Sequence, residues 1–192
     1  MFVSVVIPTY NRRPILEKCL SALEDQQLAG ALQDYEVVVV DDGSTDGTPA
    51  WLREQAHRFP HVRLIEQEHG GPAEGRNRGV DHARGDVIVF IDSDLVVTEI
   101  FLATHVRALQ QCWQRRGDRL CFTYGAVINT SNFEAPCSER HKLRDLSWAY
   151  FATGNVAIDR EVLERSGLFD TCLLYTSPSP RDYAASRMPS SA

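Results

Sequence analysis

Four short apolar runs, each stopped by a polar or glycine-bearing turn, set the narrowest limit on how this chain can fold. They are Phe2–Ile7, Tyr35–Val40, His61–Ile65 and Asp86–Ile91. The turns that follow are Pro8-Thr9-Tyr10-Asn11-Arg12, Asp41-Asp42-Gly43-Ser44, Glu68-His69-Gly70-Gly71-Pro72 and Asp92-Ser93-Asp94. Runs this short and apolar read as strands buried within a parallel sheet. Helix-like segments lie between them, the first (13–26) carrying Ile15, Leu16, Cys19, Leu20 and Leu23 at helical spacing. The βαβα alternation predicts an α/β domain, a mostly parallel sheet with helices on both faces. Right-handed crossovers bring the C-terminal end of every parallel strand to one edge. Thr9, Asp41, Asp42, Gly70, Gly71, Asp92 and Asp94 are therefore expected on a common edge, where open α/β sheets bind ligands.

The turn after the last run has its own chemistry. In near-extended backbone, residues two apart point the same way, so Asp92 and Asp94 can face one site with Ser93 turned aside. Adjacent carboxylates repel unless a cation lies between them. A hard divalent ion, Mg²⁺ or Mn²⁺, meets that need and also holds substrate phosphates. Two solvated aspartates capping the next helix are the competing reading of this turn alone.

Further along, Thr45 or Asp46 is expected to cap a helix through Trp51, Leu52 and Ala56, and Pro72 to about Ala83 forms the next one. Thr98 is expected to cap a helix to about Arg115, with His105 packed within its apolar stripe. Arg119–Ile128 reads as one strand, 129–140 as a loop, Ser138 to about Tyr150 as a helix, and Asn155–Ile158 as a short strand. Asp159 caps a last helix closed by Gly167. Residues 1–170 thus form one domain, while 171–192 is rich in Ser and Pro, without periodicity, and reads as a disordered tail. Its wording also resembles a translated sequencing-library adapter, which marks it as non-native.

The net charge of −6 argues against nucleic acid as the main partner. Arg12, Arg76 and Arg78 supply cations near the acidic edge for a phosphorylated ligand. The five cysteines show no C-x-x-C pair and no zinc spacing. No stretch approaches a membrane span of ~20 apolar residues. No charged leader precedes Phe2, so the chain reads as cytoplasmic, with peripheral association at a membrane face left open.

Pro8-Thr9-Tyr10-Asn11-Arg12, Asp41-Asp42-Gly43-Ser44-Thr45-Asp46, Gly75-Arg76-Asn77-Arg78-Gly79, Asp92-Ser93-Asp94, Gly154-Asn155 and Ser166-Gly167-Leu168-Phe169-Asp170 occur in an order that resembles the family 2 glycosyltransferases. The resemblance covers residues 2–170 and implies a GT-A-type, Rossmann-like sheet, incomplete at the C-terminus. It implies inverting transfer of a sugar from a nucleotide-sugar donor to a saccharide or lipid-linked acceptor. Pro8, Thr9 and Asn11 would line the donor site, and Thr9 with either Asp41 or Asp42 would hold base and ribose. A carboxylate that accepts an imide N–H suits uracil, so a UDP-sugar is the first expectation. Arg76 would reach the base or the phosphates, Asp92 the ribose or a metal-bound water, and Asp94 the metal. Asn155 would line the acceptor side. The family's general base lies in a Glu-Asp type motif soon after the segment matching Gly167–Asp170, where this sequence has no counterpart. The chain is therefore expected to bind nucleotide and to transfer sugar poorly. A pyrophosphorylase's basic glycine-rich loop, the G-x-G-x-x-G of a dinucleotide enzyme and a P-loop are all missing from the first turn.

Overall fold

The computed structural model describes residues 1–128, 132, 146–147 and 154–171. The four apolar runs become strands β1 (Phe2–Thr9), β2 (Asp34–Asp41), β3 (Val62–Glu66) and β4 (Val87–Ile91). Between and after them lie helices α1 (Arg13–Glu24), α2 (Thr48–Glu54), α3 (Pro72–His82) and α4 (Phe101–Arg116). Strands β5 (Phe122–Tyr124), β6 (Val127–Ile128), β7 (Leu146–Ser147) and β8 (Asn155–Asp159) follow, then helix α5 (Arg160–Arg165).

The main sheet has the order β3-β2-β1-β4-β8-β5. β1 lies parallel to both β2 and β4, and β2 parallel to β3. The chain thus leaves β1 to one side, builds β2 and β3, and returns to the other side for β4. That reversal opens a crevice above the ends of β1 and β4, the place where such sheets take ligands. β8 runs antiparallel between β4 and β5, with Ile91 opposite Asn155. The reversal of direction carries the first residue of β8 to the edge where β4 ends.

Strand alternation divides the core in two. Val3, Val5 and Ile7 with Val87, Val89 and Ile91 pack on Leu16 and Leu20 of α1, Trp51 of α2 and Leu102 of α4. Val6, Ile88 and Phe90 face the other way, onto Val80 of α3 and Leu163 of α5. α3 lies close on the sheet because two of its inner positions, Gly75 and Gly79, carry no side chain. A Cβ at Gly79 would stand 2.3 Å from Val6 Cγ1, and one at Gly75 3.1 Å from Pro8 Cβ.

Several boundaries differ from the sequence reading. α2 starts from Gly47, at φ +82°, and ends at Glu54 instead of reaching Ala56. Asp46 still serves it from one residue upstream, its Oδ1 accepting the Thr48 N–H at 3.0 Å. Thr98 does not cap α4 with its side chain. The Leu102 N–H is satisfied by Gln26 Oε1 at 3.1 Å, and Gln26 Nε2 donates to the Thr98 carbonyl at 2.8 Å. The expected strand over 119–128 breaks at Gly125, where the chain leaves β5, and Val127–Ile128 pairs instead with Leu146–Ser147. Of the helix expected over 138–150, only 146–147 is described, and it is strand. The loop over 129–140, apart from Asn132, and the tail from 172 lie outside the described residues. Asp159 does cap α5, accepting the Glu161 and Val162 N–H groups.

Candidate functional site

The crevice floor is the C-terminal edge of β1, β2 and β4. Thr9 ends β1, buried, and its Oγ1 has no hydrogen-bond partner among the described residues. Asn11 follows with φ +50°, a left-handed turn that asparagine tolerates. Its Oδ1 accepts the Thr45 N–H at 2.7 Å and its own N–H reaches Ser44 Oγ at 2.9 Å. Asn11 therefore ties the first turn to the second, a structural duty the sequence reading did not foresee.

The two aspartates ending β2 have different surroundings. Asp41 is buried, its Oδ1 accepting the Ser44 N–H at 2.9 Å and its Oδ2 without a partner among the described residues. Asp42 faces the turn after β3. Its Oδ1 accepts from Gln67 Nε2 at 2.7 Å and Gly70 N–H at 2.8 Å, and its Oδ2 from Gly71 N–H at 2.9 Å. His69 Nδ1 lies 2.9 Å from the same Oδ2. Gly71 takes φ +89° to aim its N–H, a conformation glycine adopts freely. Tyr10 and His69 stack over this carboxylate, ring centroids 4.4 Å apart and planes tilted by 32°.

Each carboxylate of the Asp92-Ser93-Asp94 turn meets a guanidinium. Arg76 Nη2 donates to Asp92 Oδ1 at 2.9 Å, and Arg12 Nη1 to Asp94 Oδ2 at 3.0 Å. Arg76 is only 11% exposed, under Phe169, and its Nε has no partner among the described residues. Burial pulls the Arg76 guanidinium below its ordinary value, while the Asp92 carboxylate acts the other way. Beneath both aspartates, burial first, then Asp94 and Asp92, push the Cys19 thiol up to about 12. That thiol stays protonated at neutral pH. Ser93 is buried, as the alternation expects. Gly154 lets the chain pass close by: a Cβ there would lie 2.9 Å from Asp92 Oδ2.

Among the described residues no three His, Cys, Asp or Glu gather around one point. What remains is two carboxylates, oxygen donors only. Such a set does not build an all-protein cage, but it fits a hard divalent ion that keeps water and takes further ligands from phosphate.

Asn155, buried at the start of β8, has a partner the sequence did not suggest. His105 Nε2 lies 2.9 Å from its Oδ1, and His105 Nδ1 lies 2.7 Å from Thr123 Oγ1. Burial lowers the His105 pKa, against the opposing hydrogen bond to Asn155. The ring is therefore neutral, with Nε2–H donating and Nδ1 accepting from the hydroxyl.

The sequence profile described as Glycosyl transferase family 2 matches residues 4–167. The chain belongs to glycosyl transferase family 2. Two relatives come from Bacillus subtilis (strain 168). The uncharacterized glycosyltransferase YfnE is 37% identical over 108 residues, covering 56% of this chain and 27% of its own. The uncharacterized glycosyltransferase EpsJ is 27% identical over 202 residues, covering 96% of this chain and 56% of its own. The structure of mannosyltransferase PcManGT from Pyrobaculum calidifontis, in complex with GDP-Man and Mn²⁺, matches with a TM-score of 0.63 at 32% identity. That match covers 88% of this chain and 47% of that one. This chain therefore spans between about a quarter and just over half the length of these relatives.

As a family 2 chain it has the expected GT-A-type sheet. Pro8, Thr9, Asp41, Asp42, Asp92 and Asp94 lie at the ends of β1, β2 and β4, on one edge. Arg76 reaches that edge from α3 and Asn155 from β8. Tyr10, His69 and His105 were not singled out as site residues from the sequence. Tyr10 and His69 do sit inside two of the turn motifs, which is the one signal that points to them.

Proposed function

We propose that this chain carries the donor site of an inverting, divalent-metal-dependent glycosyltransferase that uses a nucleoside-diphosphate sugar, a UDP-sugar in the first reading. The observation that supports this most is the meeting of Arg76 with Asp92 and of Arg12 with Asp94 at the β1/β4 crevice. Two guanidiniums and two carboxylates so arranged suit a diphosphate and its counter-ion together. Asp92 and Asp94 would hold Mn²⁺ or Mg²⁺. That ion, when bound, supplies Lewis-acid stabilisation of charge on the leaving diphosphate. Arg76 and Arg12 turn from the carboxylates to phosphate oxygens. Asp42 receives a ring N–H of the base beneath Tyr10, Thr9 takes part through its unpartnered hydroxyl, and Asp41 braces the turn behind them. Asn155 faces the acceptor, which is a saccharide or a lipid-linked saccharide.

A guanine base is the second reading, favoured by PcManGT, whose structure is a complex with GDP-Man and Mn²⁺. Guanine, like uracil, presents a ring N–H that a carboxylate accepts. The place of action is read as the cytoplasm or a cytoplasmic membrane face. No helix among the described residues is long and apolar enough to cross a membrane.

Calorimetric titration with UDP and GDP, with and without Mn²⁺, on the wild type and Asp94→Ala tests the donor site. Metal-dependent binding that is lost in the variant is expected. Folded protein that binds neither nucleotide overturns the reading. Normal turnover of a UDP-sugar by this chain would overturn the expectation of poor transfer.

A further inference from the structure

Asp42 sits in a closed shell. Its two oxygens accept three hydrogen bonds, all held by the turn after β3: Gln67 Nε2, Gly70 N–H and Gly71 N–H. His69, whose ring is 60% exposed, lies against the same carboxylate with Nδ1 2.9 Å from Oδ2. That Nδ1 also lies 3.1 Å from the Asp42 carbonyl, an acceptor, so Nδ1 carries the hydrogen. The same ring lies against Tyr10, which is itself exposed, with the two planes tilted by 32°.

A planar ring set against an exposed tyrosine, with one ring N–H directed at the Asp42 carbonyl and close to its buried carboxylate, occupies the place that a uracil or guanine base would take. We propose that His69 is a stand-in for the nucleobase, seated in the base position and displaced when a nucleotide binds. This rests on the donor-site reading above. It adds a residue that sets which base can enter. A base that brings a ring N–H takes over the His69 contact with Asp42. Cytosine and adenine, with a bare ring nitrogen at that position, set a lone pair against a buried carboxylate. A site built around a hydrogen-bonding group rejects the analogue that lacks it more strongly than a hydrophobic pocket rejects a missing methylene.

The test has two parts, both on the full chain. The first follows the His69 imidazole signals by NMR. Without nucleotide they are shifted by the Tyr10 ring, and His69→Ala assigns them. Saturating UDP or GDP is expected to abolish the shift. Signals that lack the shift before nucleotide is added, or that keep it at saturation, overturn the proposal. The second compares affinities of UDP, GDP, CDP and ADP for the wild type, His69→Ala and Asp42→Asn. His69→Ala is expected to tighten UDP or GDP by about fivefold, the scale of one exposed, charge-assisted contact. Asp42→Asn is expected to erase the preference over CDP and ADP. Unchanged or weaker binding in His69→Ala overturns the proposal, and weakening makes His69 a wall of the base pocket. Binding of no nucleotide to any variant, with the Tyr10 shift intact, shows that His69 sits as described and that the donor reading has failed, taking the displacement with it.

Discussion

His105 and Asn155 are joined across the edge of the sheet, Nε2 to Oδ1 at 2.9 Å. The pair couples the middle of α4 to the first residue of β8, one residue past Gly154 and its contact with the Asp92 turn. Removing the ring leaves a buried amide oxygen without its donor. His105→Ala is expected to cost about 2 kcal/mol of stability, read as a loss in denaturant midpoint. His105→Gln, which keeps a donor, should recover part of it.

The same histidine predicts a pH dependence. Burial lowers its pKa in the folded chain from the ordinary 6.5. Above that value both states are neutral and the full stability is present. As pH falls from 6.5 toward the lowered folded value, the unfolded chain takes up the proton first and stability declines. Thermal melts between pH 7.5 and pH 5 should show a fall in the wild type that is shallower in His105→Gln. Parallel curves would remove His105 as the cause.

Gly79 predicts a packing effect that reaches the site. Its missing Cβ would collide with Val6 Cγ1 at 2.3 Å, so Gly79→Ala must lift α3 from the sheet. Overpacking of this kind costs about 1–3 kcal/mol. It should also weaken UDP binding, because Arg76 rides on the same helix. Gly75→Ala, with 3.1 Å to Pro8 Cβ, should do less of both.

Asp42 and Asp94 should separate stability from ligand binding. Asp42→Asn sets an amide against a shell of N–H donors and should lower stability by about 1–3 kcal/mol. Asp94→Asn, whose guanidinium partner Arg12 is half exposed, should change the melting temperature little. It should cut Mn²⁺-supported UDP affinity by about tenfold or more. Equal melting temperatures for the two variants would contradict this division.

Because Arg12 and Arg76 already neutralise the two carboxylates, Mn²⁺ alone should bind weakly and UDP with Mn²⁺ strongly. Linkage requires the factor by which UDP raises Mn²⁺ affinity to equal the factor by which Mn²⁺ raises UDP affinity. Titrations in both orders measure the two factors. A tight Mn²⁺ site in the absence of nucleotide would count against the arginine pairing.

Most of the frame was legible in the residues because it is local. The four apolar runs are read within windows of a few residues, and each becomes a strand, although β1 runs on through Pro8 to Thr9, which the reading placed in the turn. The parts that were missed depend on distant partners. Gln26 replaces Thr98 at the start of α4 from far upstream in the chain. The strand over 119–128 stops at Gly125, and the close approach of that glycine to the Asn155 side chain is encoded by no pattern within the segment. His105 reads as one more member of an apolar stripe until Thr123 and Asn155 are placed beside it. Asn11 also ties the first turn to Ser44 and Thr45, a duty that no local pattern encodes.

Arg12 stands at the head of α1, in the layer built on Leu16 and Leu20, and Arg76 rides on α3, in the layer on the opposite face. Both close on one three-residue turn at the end of β4. The two helical layers, packed on opposite faces of the sheet, therefore meet at this turn. A substitution deep in either layer that shifts its helix by a fraction of an ångström is felt at the same few oxygen atoms. The crevice can thus be retuned from two independent directions without any change to the residues that line it.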